Sequence, residues 1–96
     1  MLHIIRTSVG LEVLLDRVAE GDALLFVESA VLCLHKQSQS AQRIRSIDKP
    51  LQYYALQSDV LARGLSLATI MAEVSIVDYP GFVRLTVEHK VIKTWS

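Results

Sequence analysis

Ala23-Leu-Leu-Phe-Val27 is the stretch that decides the fold, because it runs for five residues without a polar side chain. A strand with one face open to water alternates apolar and polar residues, whereas a strand covered on both faces does not. Strands of the second kind occur in parallel sheets that carry helices on both faces. The stretch therefore predicts an inner strand of an α/β domain.

Four other segments, before and after this strand in the sequence, are also β-prone. They are Leu2–Ile5, Leu51–Leu56, Val74–Val77 and, as a short fifth strand or an edge extension, Val91–Trp95. Strands that alternate with helices at this spacing imply right-handed βαβ crossovers. We predict one domain over residues 1–96, a three-layer α/β/α domain with a mainly parallel sheet of four or five strands.

A helix is predicted between the first two strands, because apolar residues recur there at i, i+3, i+4 and i+7. These residues are Leu11, Leu14, Leu15 and Val18. We expect Thr7 and Ser8 to start the helix. Gly21 is expected to cap its end, since glycine accepts the left-handed conformation at little cost.

Later helical segments are less regular. Glu28-Ser29 opens a stretch that reaches Leu34, whereas residues 36–50 lose the apolar pattern and form the least ordered-looking segment. Ser58 or Asp59 can cap a short helix that Gly64 closes.

The last helix begins at Asp78 and Pro80, since proline is tolerated in a first turn. Val83 and Val87 share one of its faces, with Phe82 and Leu85 beside them. Polar residues at the strand ends, namely Ser29, Asp59 and Asp78, are interpreted as helix caps rather than as a catalytic site.

The composition favours a partner surface over a membrane or a nucleic acid. Hydrophobic residues make up 51% of the chain and mean hydropathy is +0.34, a surplus that a small domain cannot fully bury. The longest apolar run is far too short to span a bilayer, and Met1–Ile5 does not resemble a signal peptide. We therefore expect a soluble, cytoplasmic protein.

Net charge is zero, but residues 36–49 carry four bases against one acid. The bases are Lys36, Arg43, Arg45 and Lys49. They are interpreted as a solvated loop rather than as an RNA surface, because no aromatic side chains are interleaved with them for base stacking.

Cys33 is the only cysteine, so it is the only candidate for sulfur chemistry. It lies between two leucines in a helical stretch, where a buried and inert thiol is expected; nearby His35 and Lys36 keep a reactive interpretation open. His3, His35 and His89 share no metal-ligand spacing, and we expect His3 to bond a backbone carbonyl. No glycine-rich phosphate loop is present, so nucleotide binding is not predicted. We expect neither a metal nor a cofactor.

Aromatic residues near the end of the chain are candidates for packing. Trp95 has two interpretations, folding back onto the core or entering a partner's pocket, since tryptophan is favoured in interface centres. The residues selected as interface candidates are Phe82, Leu85 and Trp95.

The order and spacing of several segments resemble the TusB/DsrH family over nearly the whole chain. In the first half these are Met1–His3 with Ser8, Glu20–Asp22 and Leu24-Leu25. In the second half they are Tyr54–Leu56, Asp59, Ala62–Leu65, Val77–Tyr79 and Phe82–Val87, with His89 and Trp95. Residues 36–50 match poorly.

The resemblance implies a DsrEFH-like fold and a place in a heterohexamer with TusC-like and TusD-like subunits. Such a complex passes persulfide sulfur from a TusA-like donor towards a TusE-like acceptor for 2-thiolation of the tRNA wobble uridine. The relay cysteine belongs to the TusD-like subunit. Some DsrH relatives have a cysteine in the first helix, but Glu12–Arg17 contains none, and Cys33 does not occupy that position.

The resemblance thus implies a non-catalytic subunit that contacts no tRNA directly. Three alternatives stay open: a persulfide carrier that uses Cys33, a DsrH-like subunit of a sulfur-oxidation complex, and a stand-alone homo-oligomeric binding module.

Overall fold

One parallel sheet organises the computed structural model, which describes residues 1–95. Within those residues the sheet has five strands, all paired in parallel, in the order β4-β3-β2-β1-β5. The strands are β1 (Leu2–Ile5), β2 (Ala23–Phe26), β3 (Gln52–Leu56), β4 (Val74–Val77) and β5 (Ile92–Trp95). The predicted α/β class and the fifth strand are confirmed.

The apolar run that predicted an inner strand lies at the centre of the sheet. Every residue of β2 is fully buried, and the strand pairs with β1 on one side and with β3 on the other. Because all strands are parallel, their carboxyl ends lie along one edge of the sheet, where groups that follow Ile5, Phe26, Leu56 and Val77 come together.

Four α-helices and two short 3₁₀ helices connect the strands within residues 1–95. The α-helices are α1 (Leu11–Arg17), α2 (Gln39–Arg45), α3 (Gln57–Ala62) and α4 (Tyr79–Glu88), and the 3₁₀ helices span Glu28–Leu34 and Leu67–Thr69. None of the helices in this part of the chain is long and apolar enough to cross a membrane.

The two faces of the sheet are covered unequally. The larger core lies on one face, where Ile5, Leu24 and Phe26 pack under α1, α2, α3 and the first 3₁₀ helix. On the other face, Leu2, Ala23 and Leu25 pack against Leu85 of α4. Helices lie on both sides, as predicted, but α4 alone covers the second face among the described residues.

The limits predicted for the first helix are wrong at both ends. Helix α1 begins after Gly10, which is left-handed at φ 82°, so Thr7 and Ser8 do not start it. It ends at Arg17, and Gly21 turns the chain later, at φ 88°. The Asp22 carboxylate accepts a hydrogen bond from the Ala19 amide at 3.0 Å, which fixes the turn between the helix and β2.

Two predicted caps are also wrong, because their side chains bond to distant backbone groups. The Ser29 hydroxyl donates to the Arg6 carbonyl at 3.3 Å, and the Asp59 carboxylate accepts from the Glu28 amide at 2.7 Å. Helix α3 starts directly at Gln57 without a side-chain cap, so neither Ser58 nor Asp59 caps it.

Two helix starts are fixed by side-chain caps. The Asp78 carboxylate accepts from the Gly81 amide at 2.9 Å with Pro80 in the first turn, which confirms the predicted start of α4. The segment 36–50, which lacks an apolar pattern, contains α2, and the Ser38 hydroxyl caps it by accepting from the Ala41 amide at 3.0 Å.

Candidate functional site

A charged network occupies the carboxyl edge of the sheet, where an α/β protein would place a catalytic site. Arg6, after β1, donates from Nε to the Glu28 carboxylate at 2.6 Å, and the Glu28 amide donates to Asp59. The hydrogen bond from Arg6 lowers the pKa of Glu28. Glu28 itself is left-handed at φ 52°, a conformation costly for a non-glycine residue. These bonds hold Glu28 in place and engage its carboxylate with Arg6 and that of Asp59 with the backbone.

Cys33 lies away from that edge, inside the larger core. Its side chain is only 4% exposed in the 3₁₀ helix that precedes α2. Burial raises the pKa of the thiol, and a hydrogen bond with Ser40 offsets only part of that rise. Both features are the opposite of what a reactive cysteine needs, namely a lowered pKa and access to solvent.

Each of the three histidines is held by a hydrogen bond within the chain. His89 Nδ1 bonds to the Leu85 carbonyl at 2.8 Å, and His35 Nδ1 accepts from the Gln37 amide at 3.2 Å. His3 does not bond to a backbone carbonyl as predicted, because its ring lies between two side chains, Asp22 and Trp95. Among residues 1–95 no group of three or more metal-ligating side chains converges.

His3 belongs to a buried network that links the first and last strands. The indole N–H of Trp95 donates to His3 Nδ1 at 3.1 Å, so the ring proton lies on Nε2 and is donated to Asp22 at 2.8 Å. The Met1 ammonium lies 3.2 Å from the same carboxylate. Burial alone would raise the pKa of Asp22, but hydrogen bonds from His3, the Ala19 amide and the ammonium hold it below its ordinary value.

The bases of residues 36–49 are largely engaged within the chain. Arg43 pairs with Glu12 at 2.7 Å and with Asp16 at 3.2 Å, both on α1. Arg45 lies 3.4 Å from the Glu73 carboxylate, and the Lys49 ammonium donates to the Val18 carbonyl at 2.8 Å. These three cations therefore bind α2 and the loops beside it to neighbouring parts of the chain, and they are not free to form a basic patch.

The outer side of α4 presents a row of exposed apolar side chains. Tyr79, Val83 and Val87 follow one another at i, i+4 and i+8 and are 70%, 41% and 78% exposed. With 3.6 residues per turn they lie opposite Leu85, which faces the sheet. We call these three residues the outward ridge. Their spacing was the signal in the sequence, but it did not show which apolar side of the helix faces the sheet.

The three interface candidates from the sequence have different positions. Leu85 is buried in the smaller core of the chain itself, so its selection as an interface residue is wrong. Phe82 is half-buried and stacks on Tyr79 with 6.0 Å between ring centroids. Trp95 folds back onto the larger core and is covered by the Lys93 ammonium at 4.3 Å, so the first of its two interpretations is the one observed.

A cleft of about 450 Å³ lies at the carboxyl ends of β3 and β4, between these strands and the start of α4. Its walls include Gln57, Asp78 and Arg84 above an apolar floor of Ile76 and Val77. Within residues 1–95 no carboxylate lies within ion-pair distance of Arg84. The arrangement places a cation that has no ion pair within residues 1–95 at a cleft with an apolar floor.

Comparison with known proteins places this architecture in a family. The profile of the family described as "DsrH like protein" matches residues 6–92. The curated proteins named Protein TusB from Escherichia coli K12 and from Shigella flexneri are each 35% identical over 98 residues, covering 99% of this chain and 100% of each relative. The chain belongs to the TusB/DsrH family, whose members serve sulfur relay in tRNA modification.

Solved structures support the fold independently. The Methanobacterium thermoautotrophicum protein MTH1491, described as of unknown function, superimposes with a TM-score of 0.71 at 14% identity, covering 98% of this chain and 96% of that one. Thermotoga maritima Tm0979 gives a TM-score of 0.64 at 19% identity, covering 94% and 95%. At these identities the likeness concerns the fold alone.

Proposed function

We propose that this chain is a non-catalytic subunit of a TusBCD-type sulfur-relay complex in the cytoplasm. It would support persulfide transfer for 2-thiolation of the tRNA wobble uridine. Two features together support the proposal: the chain's only thiol is buried, and the outward ridge leaves apolar side chains exposed. The family membership supports the sulfur chemistry, and these two features support a role as a binding partner.

According to this proposal, another subunit carries the relay sulfur. A persulfide carrier exchanges sulfur between thiolates that must approach each other directly. Cys33 is enclosed among Val31, Leu34 and Ala41 in the larger core, and its thiol has a raised pKa. A TusD-like subunit therefore holds the relay cysteine, between a TusA-like donor and a TusE-like acceptor.

The surface chemistry supports assembly with protein rather than with RNA. The bases of residues 36–49 are mostly paired or bonded within the chain, whereas Tyr79 and Val87 leave large apolar side chains in water. Exposed apolar groups of this kind mark protein interfaces. TusC-like and TusD-like subunits, two copies of each with two of this chain, are the proposed partners, and direct tRNA contact is not part of the role.

Co-expression with the TusC-like and TusD-like subunits of the same genome tests this function. We expect a stable complex by native mass spectrometry, and restoration of 2-thiouridine when the chain is returned to a strain that lacks its gene. A complex that forms but leaves tRNA thiolation unchanged would favour the sulfur-oxidation alternative. A chain that stays monomeric in the presence of both subunits would contradict the proposal.

Cys33→Ser tests whether the sulfur is carried by this chain or by another subunit. We expect the variant complex to transfer sulfur at the wild-type rate, because the Cys33 thiol is buried and protonated. Intact-mass analysis after incubation with a cysteine desulfurase should show no sulfur adduct on this chain. Loss of tRNA thiolation in Cys33→Ser, in a complex that still assembles, would instead establish Cys33 as a carrier.

A further inference from the structure

Strand β5 is attached to the domain by few side-chain contacts. Ile92, Lys93 and Thr94 are exposed, and within the described residues Trp95 is the one member of β5 that packs on a core. The rest of the attachment is backbone pairing with β1. Elements with so little buried surface open at a lower free-energy cost than the core of the same protein. The contact that holds Trp95 therefore contributes directly to the attachment of β5.

One hydrogen bond fixes the Trp95 indole, and it depends on the protonation state of His3. The indole N–H donates to His3 Nδ1 at 3.1 Å, so Nδ1 has to present a lone pair. A second proton on the His3 ring would occupy Nδ1 and set two N–H groups against each other. The bond to Asp22 at 2.8 Å uses Nε2 and is compatible with both states of the ring. Protonation of His3 and the indole bond therefore exclude each other.

Three charged groups surround the His3–Trp95 pair. The Asp22 carboxylate attracts a charged ring, and despite burial its hydrogen bonds keep the pKa of Asp22 below the ordinary value, so it stays ionised at weakly acidic pH. The Met1 ammonium pairs with the same carboxylate at 3.2 Å. Lys93 is the register partner of His3 in β5, and its ammonium lies 4.3 Å from the centre of the indole ring. Because like charges repel and Lys93 already lies over the indole, a positive His3 loses the hydrogen bond and gains no new attraction to Trp95.

The other charged side chains on the elements around His3 are exposed or engaged elsewhere. Those of α1 and of the turn that follows it are exposed, namely Glu12, Asp16, Arg17 and Glu20. The Lys49 ammonium, before β3, donates to a backbone carbonyl at 2.8 Å. In the described part of the chain, the side chains that bond to the His3 ring are those of Asp22 and Trp95. The ring of His3 is therefore the group at this place whose charge changes in weak acid.

We propose that His3 and Trp95 form a proton-sensitive latch, which releases β5 when the His3 ring takes up a second proton. Release would bare one side of β1, a buried strand whose backbone would then be available to pair with another strand. By linkage, a molecule that binds the bared side of β1 would in turn promote protonation of His3. The inference concerns a conformational device of the fold and does not depend on the proposed function.

Amide hydrogen exchange at about pH 7 and at about pH 5 tests the latch, because histidine side chains change charge in this range. Each exchange rate is expressed as protection relative to the unfolded chain at the same pH, which removes the pH dependence of exchange itself. The amides of Leu2 and Arg6 donate at 3.0 Å to carbonyls at the two ends of the segment 91–95, so they report the attachment of β5. The amides of Ala23 and Val27 donate to β1 carbonyls at 3.1 and 3.0 Å and are the control on the other side of β1.

We expect the protection of Leu2 and Arg6 to fall at least about fivefold on acidification, the effect of losing one net hydrogen bond, while Ala23 and Val27 change less than about twofold. Equal losses on both sides of β1 would indicate general acid unfolding and overturn the latch. Protection of Leu2 and Arg6 that does not change with pH would overturn it too.

Two variants and one control identify the groups responsible. Trp95→Phe keeps an aromatic ring but lacks the N–H, so we expect weak protection of the Arg6 amide at both pH values and no further fall in acid. His3→Asn removes the titrating ring and should likewise abolish the pH response. His35→Asn is the matched control, because His35 bonds to Gln37 away from β5, and it should respond as wild type does. A wild-type response in Trp95→Phe would contradict the latch even if His3→Asn failed to fold.

Discussion

Asp22→Ala is expected to lower the free energy of unfolding by at least about 3 kcal/mol at pH 7, because it removes two hydrogen bonds to a carboxylate, each of which contributes about 1.5 to 3 kcal/mol. The Asp22 carboxylate accepts from His3 at 2.8 Å and from the Ala19 amide at 3.0 Å, and it pairs with the Met1 ammonium. Its loss leaves these donors without their acceptor in or near the core. Because Trp95 bonds to the same histidine, the substitution should also loosen β5.

Urea unfolding, monitored by the fluorescence of Trp95, measures this loss of free energy. Asp16→Ala is the control, since the Asp16 side chain is 72% exposed and its ion pair with Arg43 lies at the surface. Exposed pairs contribute at most about 1 kcal/mol. Equal effects of the two substitutions would show that the His3–Asp22 network does not stabilise the fold.

The Asp22→Ala penalty should depend on pH in a defined direction. The folded pKa of Asp22 lies below its ordinary value, so the stability it contributes is present above the unfolded pKa of about 3.9. That stability is lost as pH falls through the folded pKa, because the wild-type carboxylate then becomes protonated too. The difference between wild type and variant should therefore shrink in acid.

Phe26→Ala is expected to cost about 3 to 5 kcal/mol, the range for deleting a buried aromatic ring. Phe26 is fully buried at the centre of the sheet, in the strand with neighbours on both sides. The cavity would lie beneath the helices of the larger core, where several elements would have to move to fill it. For a domain of this size, each kcal/mol lowers the melting temperature by roughly 4 to 8 °C.

Phe82→Ala is the natural comparison, because these two residues are the only phenylalanines of the chain. Phe82 is half-buried at the smaller core and stacks on Tyr79, so its removal opens no enclosed cavity. We expect a loss well below that of Phe26→Ala in scanning calorimetry of the isolated chain. A larger loss for Phe82 would mean that the face under α4 stabilises the fold more than the larger core.

The strands were predictable because their signal is local. An uninterrupted apolar run such as Ala23–Val27 requires cover on both faces wherever it sits, and the structure places it in the middle of the sheet. The start of α4 was predictable for a related reason. Its cap and its proline lie within three residues of the groups they serve.

The errors arose where the partner of a side chain is distant in sequence. Asp59 and Ser29 are residue types that commonly cap helices. The Asp59 carboxylate instead accepts from a backbone amide 31 residues away, and the Ser29 hydroxyl donates to a carbonyl 23 residues away. Only the docking of β1, β2 and β3 brings those groups together. The same holds for His3, whose contact with Trp95 spans 92 positions.

The candidate site was predictable in kind but not in detail. Surplus hydrophobicity implied a partner surface, and helical spacing put Val83 and Val87 on one side of α4. Because the helix is apolar on two sides, the sequence did not decide whether Leu85 or Val83 faces the sheet. That choice depends on how the crossover from β4 to β5 passes over the sheet.

The pairing of β1 with β5 has a consequence for biosynthesis. During synthesis β1 is made before β5, so one side of β1 stays unpaired until β5 is translated, because β5 is its neighbour on that side among the described residues. An unpaired edge is a template for wrong association while synthesis proceeds. When β5 pairs with β1 it becomes the edge strand itself, so the buried β1 is no longer an edge and the new edge carries the exposed residues Ile92, Lys93 and Thr94. A charged edge strand resists wrong association.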